Sequence, residues 1–334
     1  MSQGSSPTRE TSRTDNDGND ADDDNDSALG SDQYSTASIT SSTYHYRQLG
    51  GRSYPNFRDV DHWEPVDEKQ QESFDIRHHI YLMQNNQKLF NAPVQPRCVL
   101  DVGTGTGIWA LDVADTFPWA EVIGIDLAPI QPPWVPPNCR FEVDDANMNW
   151  TFGDGRFNLV HIRDLVGSIR DDEKLYAHAF CSLEPGGWIE HTESFMIIFS
   201  DNNSIPEDCV YHDWNRLFDE AGEKTGKSFH LAERIESSMK TAGFRVLGSR
   251  KKKVPIGTWP KDPTLNEVGL WNQHRWMEGL DGYGRWLLKY VWSLSDVDIE
   301  LFFTRTRKAL RDKRIHAYEL YTTVWAQKPG PGGQ

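Results

Sequence analysis

The chain is poor in sulfur and has no long apolar run. Its 334 residues hold four cysteines, Cys98, Cys139, Cys181 and Cys209, with no C-x-x-C spacing, and all fall in or beside apolar runs. That pattern excludes a disulfide framework and predicts free thiols in a reducing compartment. There are eleven histidines, two of them adjacent at His78 and His79, but no histidine–cysteine cluster has zinc spacing. No metal is therefore expected. No apolar stretch is long enough to span a bilayer, and the opening residues, MSQGSSPTRE, contain no signal segment. A cytoplasmic or nuclear protein, neither secreted nor membrane-bound, is expected. Basic residues are also in short supply. Lys and Arg number 35 against 50 Asp and Glu, a net charge of -15. That balance argues against direct binding to nucleic acid.

The charge is uneven. Residues 1–45 hold nine acids, Glu10 and eight Asp, against Arg9 and Arg13. The segment is otherwise rich in Ser, Thr, Asn and Gly, with almost nothing to bury, so a disordered acidic tail is predicted over 1–43. No internal repeat is present. The rest divides into an N-terminal extension with a capping helix (44–95), a cofactor-binding core (96–200) and a C-terminal part of the sheet with a helical lid (201–327). A flexible end is expected at 328–334.

What is present centres on Cys98 to Trp109, CVLDVGTGTGIW. Val99, Leu100 and Val102 read as a short buried strand with Asp101 near its end. Gly103, Thr104, Gly105 and Gly107 form a tight loop, and a helix follows from Ile108. Strand, glycine loop and helix amino terminus make a nucleotide cradle. Asp101 selects the ligand. A carboxylate at the mouth repels a pyrophosphate and attracts an ammonium, so S-adenosylmethionine (SAM) is preferred over NAD. The dinucleotide fingerprint also wants a small residue where Ile108 stands. A tight turn without a ligand is the alternative.

The chain then alternates regularly. Strand Glu121–Ile125 ends in Asp126 and Leu127, with Asp126 23 residues past Gly103, where an acid suits ribose hydroxyls. Strand Cys139–Val143 ends in Asp144, Asp145 and Ala146, and Asp145 is favoured for the adenine amino group. Between them, Trp134 and its prolines are placed along the adenine side. Strand Phe157–Ile162 brings His161 and Arg163 to its end, and strand Trp188–Phe199 carries Glu190 and His191. These four are the candidate catalytic groups. If the acceptor is a hydroxyl, His161, His191 or Glu190 could serve as base.

The N-terminal part reads as an irregular aromatic stretch, Tyr44 to Val66, then a helix over Asp67–Phe90. The later half reads as helices 208–223 and 231–242, a strand 244–256 containing the basic run Arg250 to Lys253, helices 265–292 and 295–311, and a last strand 315–326. The basic run suits a solvated strand end or a nuclear address. Trp271, Trp276 and Phe303 are candidates to face an acceptor cavity from the lid.

Seven strands with crossover helices, the loop and the acids describe an α/β, Rossmann-like fold, a seven-stranded mostly parallel sheet with helices on both faces: a class I SAM-dependent methyltransferase. The chain also resembles the fungal LaeA-like methyltransferase family, relatives of the velvet-complex regulator of secondary metabolism. The matching runs are PVDEKQQESFDIRHH, LDVGTGTGIWALDVAD, FPWAEVIGIDLAPIQPPWVPPN, FEVDDA, NLVHIRDLVGSI and LEPGGWIE. The family commonly has an ENGRRYH-like segment where this chain reads QLGGRSYPNF. The resemblance implies a SAM-dependent enzyme acting on a small-molecule acceptor. Its alternative is a nuclear regulator acting through velvet-type protein partners. An aromatic pocket between the last two strands would favour the enzyme, and an exposed apolar patch near 44–66 the regulator.

Overall fold

The computed structural model describes residues 46–56, 62–330 and Gly332. The expected acidic tail lies outside the described residues. Lys328, expected to be flexible, is held: its ammonium donates to the carbonyls of Phe180 and Leu183 at 2.6 and 2.8 Å.

Seven strands form one sheet. They are β3 (Cys98–Val102), β4 (Glu121–Asp126), β5 (Cys139–Val143), β6 (Phe157–Arg163), β7 (Leu183–Ser194), β8 (Arg245–Pro255) and β9 (Tyr318–Gln327). Their spatial order is β5-β4-β3-β6-β7-β9-β8, and β9 alone runs antiparallel to its neighbours. From β3 the chain builds outward to β4 and β5, then returns to place β6 on the other side of β3. That reversal opens a crevice beyond the strand ends, where open α/β sheets bind ligands.

Residue parity divides the sheet into two faces. Leu100, Val102, Ile123, Val160, Ile162 and Ile189 pack with helices α3 (Asp172–Ser182) and α5 (Leu231–Thr241). Val99, Val122, Leu159 and Trp188 pack with helix α2 (Ile108–Thr116). Asp101, His161 and Glu190 share the parity of the α2 side. His191 has the opposite parity.

Glu184, Pro185, Gly186 and Gly187 make an irregularity at the start of β7. Leu183 pairs with Phe157 and Trp188 with Leu159, so four residues stand against one. Helices α4 (Val210–Thr225), α6 (Pro263–Tyr290) and α7 (Asp296–Leu310) enclose the largest core, which holds Trp214, Trp276, Phe303 and Trp63. Trp276 and Phe303 are wholly buried, so neither faces a cavity as expected. Trp271 lines a separate open groove along helix α1 (Glu68–Gln84), away from the glycine loop, and meets the edge of His79 there, with ring centroids 4.9 Å apart.

The N-terminal stretch is more regular than its sequence suggested. Strands β1 (Arg47–Leu49) and β2 (Arg52–Tyr54) form a hairpin across Gly50-Gly51, whose φ values are +58° and +78°. Two positive φ values are what a type I′ turn requires, and glycine supplies them without strain. Helix α1 starts on the Asp67 cap and stops before Asn86 and Gln87, both left-handed, six residues short of the expected Phe90. Arg52 grips Asp67 through two nitrogens at 2.7 and 2.8 Å and reaches Asp281 of α6 at 3.0 Å. Trp63 donates to the carbonyl of Val166 at 2.9 Å, fastening the chain before α1 onto the loop after β6. The exposed apolar patch that would favour a regulator is not found among the described residues of this stretch: Tyr54, Trp63 and Val66 are all buried.

Candidate active site

The glycine loop is the floor of a cavity of about 810 Å³, its open mouth included. Gly103, Gly105 and Gly107 all have positive φ, at +72°, +57° and +81°. Their roles differ. A Cβ on Gly103 would strike Leu165 at 2.3 Å, and one on Gly107 would strike the Phe141 ring at 2.4 Å. A Cβ on Gly105 would meet nothing closer than Phe74 at 4.0 Å and would stand in the cavity itself. Gly105 is thus the close-approach glycine. Gly107, expected among the cofactor residues, lies outside the cavity lining and serves helix–strand packing.

Asp126 fixes the loop. Its carboxylate accepts from the amides of Gly105 and Ala128 at 2.8 and 2.9 Å. Each oxygen keeps a second lone pair for a ligand. Burial raises its pKa. An adjoining cavity continues over Leu127, Asp144, Asp145 and Ala146, and the two share Gly103, Asp126 and Leu165. Asp145 accepts from the amide and side chain of Asn147 at 2.9 and 3.0 Å. Asp144 accepts from the amide of Asp145 at 2.9 Å. Trp134 lies away from both cavities and is 89 % exposed, so it walls neither.

Each oxygen of Asp101 already accepts one hydrogen bond within the protein and, as in Asp126, keeps a second lone pair. Thr104 donates to one at 2.6 Å, and Nδ1 of His161 lies 2.7 Å from the other. An ionised carboxylate only accepts, so Nδ1 carries the proton and Nε2 the lone pair. The His161 ring also stacks on Trp109, with centroids 3.6 Å apart and planes 6° from parallel. Burial depresses its pKa to about 4, keeping it neutral at pH 7. The ring lines the first cavity and also a second one on its far side. Arg163 stands in the same wall, bonded to Nδ1 of His78 at 3.1 Å and lying 4.8 Å over the Tyr81 ring.

The other two catalytic candidates are placed differently. Both oxygens of Glu190 are engaged by the Asn91 amide, the Asn91 side chain and the Ala92 amide, at 2.6 to 3.0 Å. Glu190 lines the second cavity but is spent on holding the loop after α1. His191 points to the opposite face, between the Tyr176 hydroxyl at 2.8 Å and Glu193 at 3.1 Å, and lines none of these cavities. Its place is in the α3 core.

Three residues were missed in the sequence. His62, Glu64 and Arg77 roof the first cavity. Glu64 Oε1 and Arg77 Nε and Nη2 are buried and have no hydrogen-bond partner among the described residues. Desolvation raises Glu64 to about 7. Arg77 has a signal in the sequence: it stands three residues from both Phe74 and Ile80, on the apolar face of α1. Glu64 and His62 have none, because they lie on an aperiodic segment. The lid over this cavity is therefore the N-terminal extension and α1, and no residue of the 265–311 helices lines it.

The lining fits the expected cofactor. Four carboxyl groups, Glu64, Asp101, Asp126 and Asp164, outnumber the two cations, Arg77 and Arg163, around the glycine cradle. Such a lining opposes a pyrophosphate and suits a sulfonium, an ammonium and a ribose. The sheet order, the glycine cradle and the acids at the ends of β3, β4 and β5 define a class I SAM-dependent methyltransferase.

A family model described as a methyltransferase domain matches residues 76–248, half of the chain. Methyltransferase pytC of Aspergillus terreus is 35 % identical over 298 residues, 88 % of this chain and 92 % of that protein. Secondary metabolism regulator LAE1 of Cochliobolus heterostrophus is 34 % identical over 84 % of this chain and 94 % of its own. Protein-methionine methyltransferase laeA of Emericella nidulans is 30 % identical over 85 % and 77 %. The chain belongs to the LaeA-like family of fungal SAM-dependent methyltransferases. Among the described residues no helix is long and apolar enough to cross a membrane, and no group of His, Cys, Asp and Glu is arranged to hold a metal.

Proposed function

We propose that the chain methylates a small-molecule acceptor in fungal secondary metabolism, with the His161 wall as the place of transfer. The observation that carries this is the position of the His161 ring, held by Asp101 and Trp109 between two cavities. When bound, SAM supplies an electrophilic methyl group on a sulfonium leaving group, so the protein's main task is alignment and exclusion of water.

The geometry supports the following roles. Gly105 lets the backbone approach the nucleoside, Asp126 takes the ribose hydroxyls, and Asp145 with Ala146 bounds the adenine. The amino-acid end of the cofactor falls to the roof, where the unpartnered guanidinium nitrogens of Arg77 suit its carboxylate and Glu64 its ammonium. Asp101 acts through His161, fixing its tautomer. With Nδ1 protonated and the ring neutral, Nε2 can take a proton from an acceptor hydroxyl. Arg163 orients the acceptor. Glu190 and His191 are assigned structural roles.

The regulatory reading is favoured by the names of LAE1 and laeA, and it would bring velvet-type protein partners and a nuclear location. One experiment separates the two. Purified full-length protein is incubated with methyl-labelled SAM and a metabolite extract of the producing fungus, then small molecules and protein are counted apart. Label in the small-molecule fraction supports the proposal. Label confined to protein overturns it in favour of regulation.

A further inference from the structure

The basic run Arg250 to Lys253 lies within β8 rather than at a strand end, and alternate residues face different ways. Lys253 pairs with Asp201, and Lys251 lies over the Phe195 ring. Arg250 and Lys252 instead line the second cavity, which spans the sheet face under the end of α1 and encloses about 520 Å³ with its mouth. Lys88 and Arg163 line it as well. Against these four cations the lining holds a single acid, Glu190, whose oxygens are already taken by Asn91 and Ala92.

We propose that this cavity holds the methyl acceptor by an anionic group, a carboxylate or phenolate on a flat apolar body; this rests on the small-molecule reading above. The two cavities have opposite polarity. The first sets four carboxyl groups against the two cations Arg77 and Arg163, an acidic balance that suits a cation; the second sets four cations against one acid and suits an anion. They meet at His161 and Arg163, which line both. Such a pair of fields drives the sulfonium and the acceptor to opposite sides of one wall and brings them together there.

The cations are available. Among the described residues Arg250 donates to amide oxygens, those of Asn85 and Asn91 at 3.4 and 3.2 Å, and lies 5.9 Å over the Trp325 ring. The nearest carboxylate to Arg163 is 4.0 Å away. Lys252 makes no hydrogen bond or ion pair among the described residues, is half-buried beside Arg250, and has its pKa lowered by desolvation and by that charge. An anion would relieve this crowding. Tyr81, Trp109 and Tyr321 supply flat walls.

The test is calorimetry on the full-length chain saturated with S-adenosylhomocysteine, using 2-naphthoate and its uncharged analogue 2-naphthamide as probes. Naphthoate should bind in the millimolar range or tighter, at least about tenfold tighter than naphthamide, and should weaken with added salt. Lys252→Gln and Arg250→Gln should each weaken naphthoate by about tenfold, with the melting temperature and the affinity for S-adenosylhomocysteine retained. No binding at millimolar naphthoate, equal binding of the two probes, or unchanged affinity in both variants overturns the assignment. Failure to bind S-adenosylhomocysteine at all would strike the cofactor reading instead, so the two failures are distinct.

Discussion

Gly105 is the residue whose replacement should report most directly on the cofactor. Its Cβ direction opens into the cavity, so Gly105→Val should abolish binding of S-adenosylhomocysteine by occupying ligand space. The left-handed backbone adds about 1–3 kcal/mol of strain; calorimetry and a melting curve on one sample measure the two effects. Asp126→Ala should be milder, weakening binding by about 1.5–3 kcal/mol, the range for hydrogen bonds to a charged group. Unchanged affinity would show that another acid holds the ribose. His161→Ala should lower turnover by about 100-fold with little change in cofactor affinity; a stability loss with turnover per folded molecule intact would make the ring a packing group. At this scale the sequence was partly legible. The glycines and Asp126 sit at fixed offsets from a strand end, and a backbone rule places them. His161 and His191 look alike in sequence, each at the end of an apolar run. Parity puts one against Trp109 and the other among Tyr176 and Glu193. Only strand register decides between them.

The elements repeat this pattern. The central strands β3, β4 and β6 follow from short apolar runs bounded by turns, whereas β8 is mostly polar and exposed; the helices follow from periodicity, and Asp67, Asp262 and Ser295 cap three of them. The β1–β2 hairpin was legible in principle from Gly50-Gly51 between two short polar-aromatic runs, but its strands are three residues each and show no alternation. The source of the lid was half legible: the N-terminal capping helix was expected, and so was a contribution from 265–311 that lines no part of the first cavity. Aromatics at helical spacing in α6 and α7 look the same whether they line a pocket or fill a core, and here Trp276 and Phe303 fill a core. The lid is the extension held by Arg52. Arg52→Ala would leave Asp67 and Asp281 without their shared cation and remove the link between hairpin, α1 and α6. A loss of about 2–3 kcal/mol is expected, below the range for a wholly buried pair because Asp67 keeps some water. Dissociation of S-adenosylhomocysteine should quicken as well. Denaturant melts and stopped-flow release check these separately, and a destabilised variant with an unchanged release rate would show that the extension does not gate the site.

For the whole molecule, buried titratable groups of both kinds set the pH of greatest stability. His161 and His191 are pushed down by desolvation, from 6.5 to about 4 and about 3. Between their ordinary value and these, the unfolded chain holds protons that the folded chain refuses. Their contribution is full above 6.5 and falls as pH drops, at up to about 1.4 kcal/mol per pH unit each. Glu64 is shifted the other way, from 4.5 to about 7, and desolvation raises Glu193 as well. These carboxyls keep a proton in the folded state that they lose when unfolded. Their contribution is full below 4.5 and falls as pH rises through the folded pKa. Between 4.5 and 6.5 the two slopes oppose, so stability should peak on the acid side of neutral and decline on both flanks. Urea midpoints across pH 4 to 8 should show this, with His191→Asn flattening the acid flank and Glu64→Gln the neutral one. A Glu64→Gln profile that keeps the wild-type decline toward pH 7 would mean that the carboxyl is already ionised in the folded protein, paired with the Arg77 guanidinium across the cavity roof.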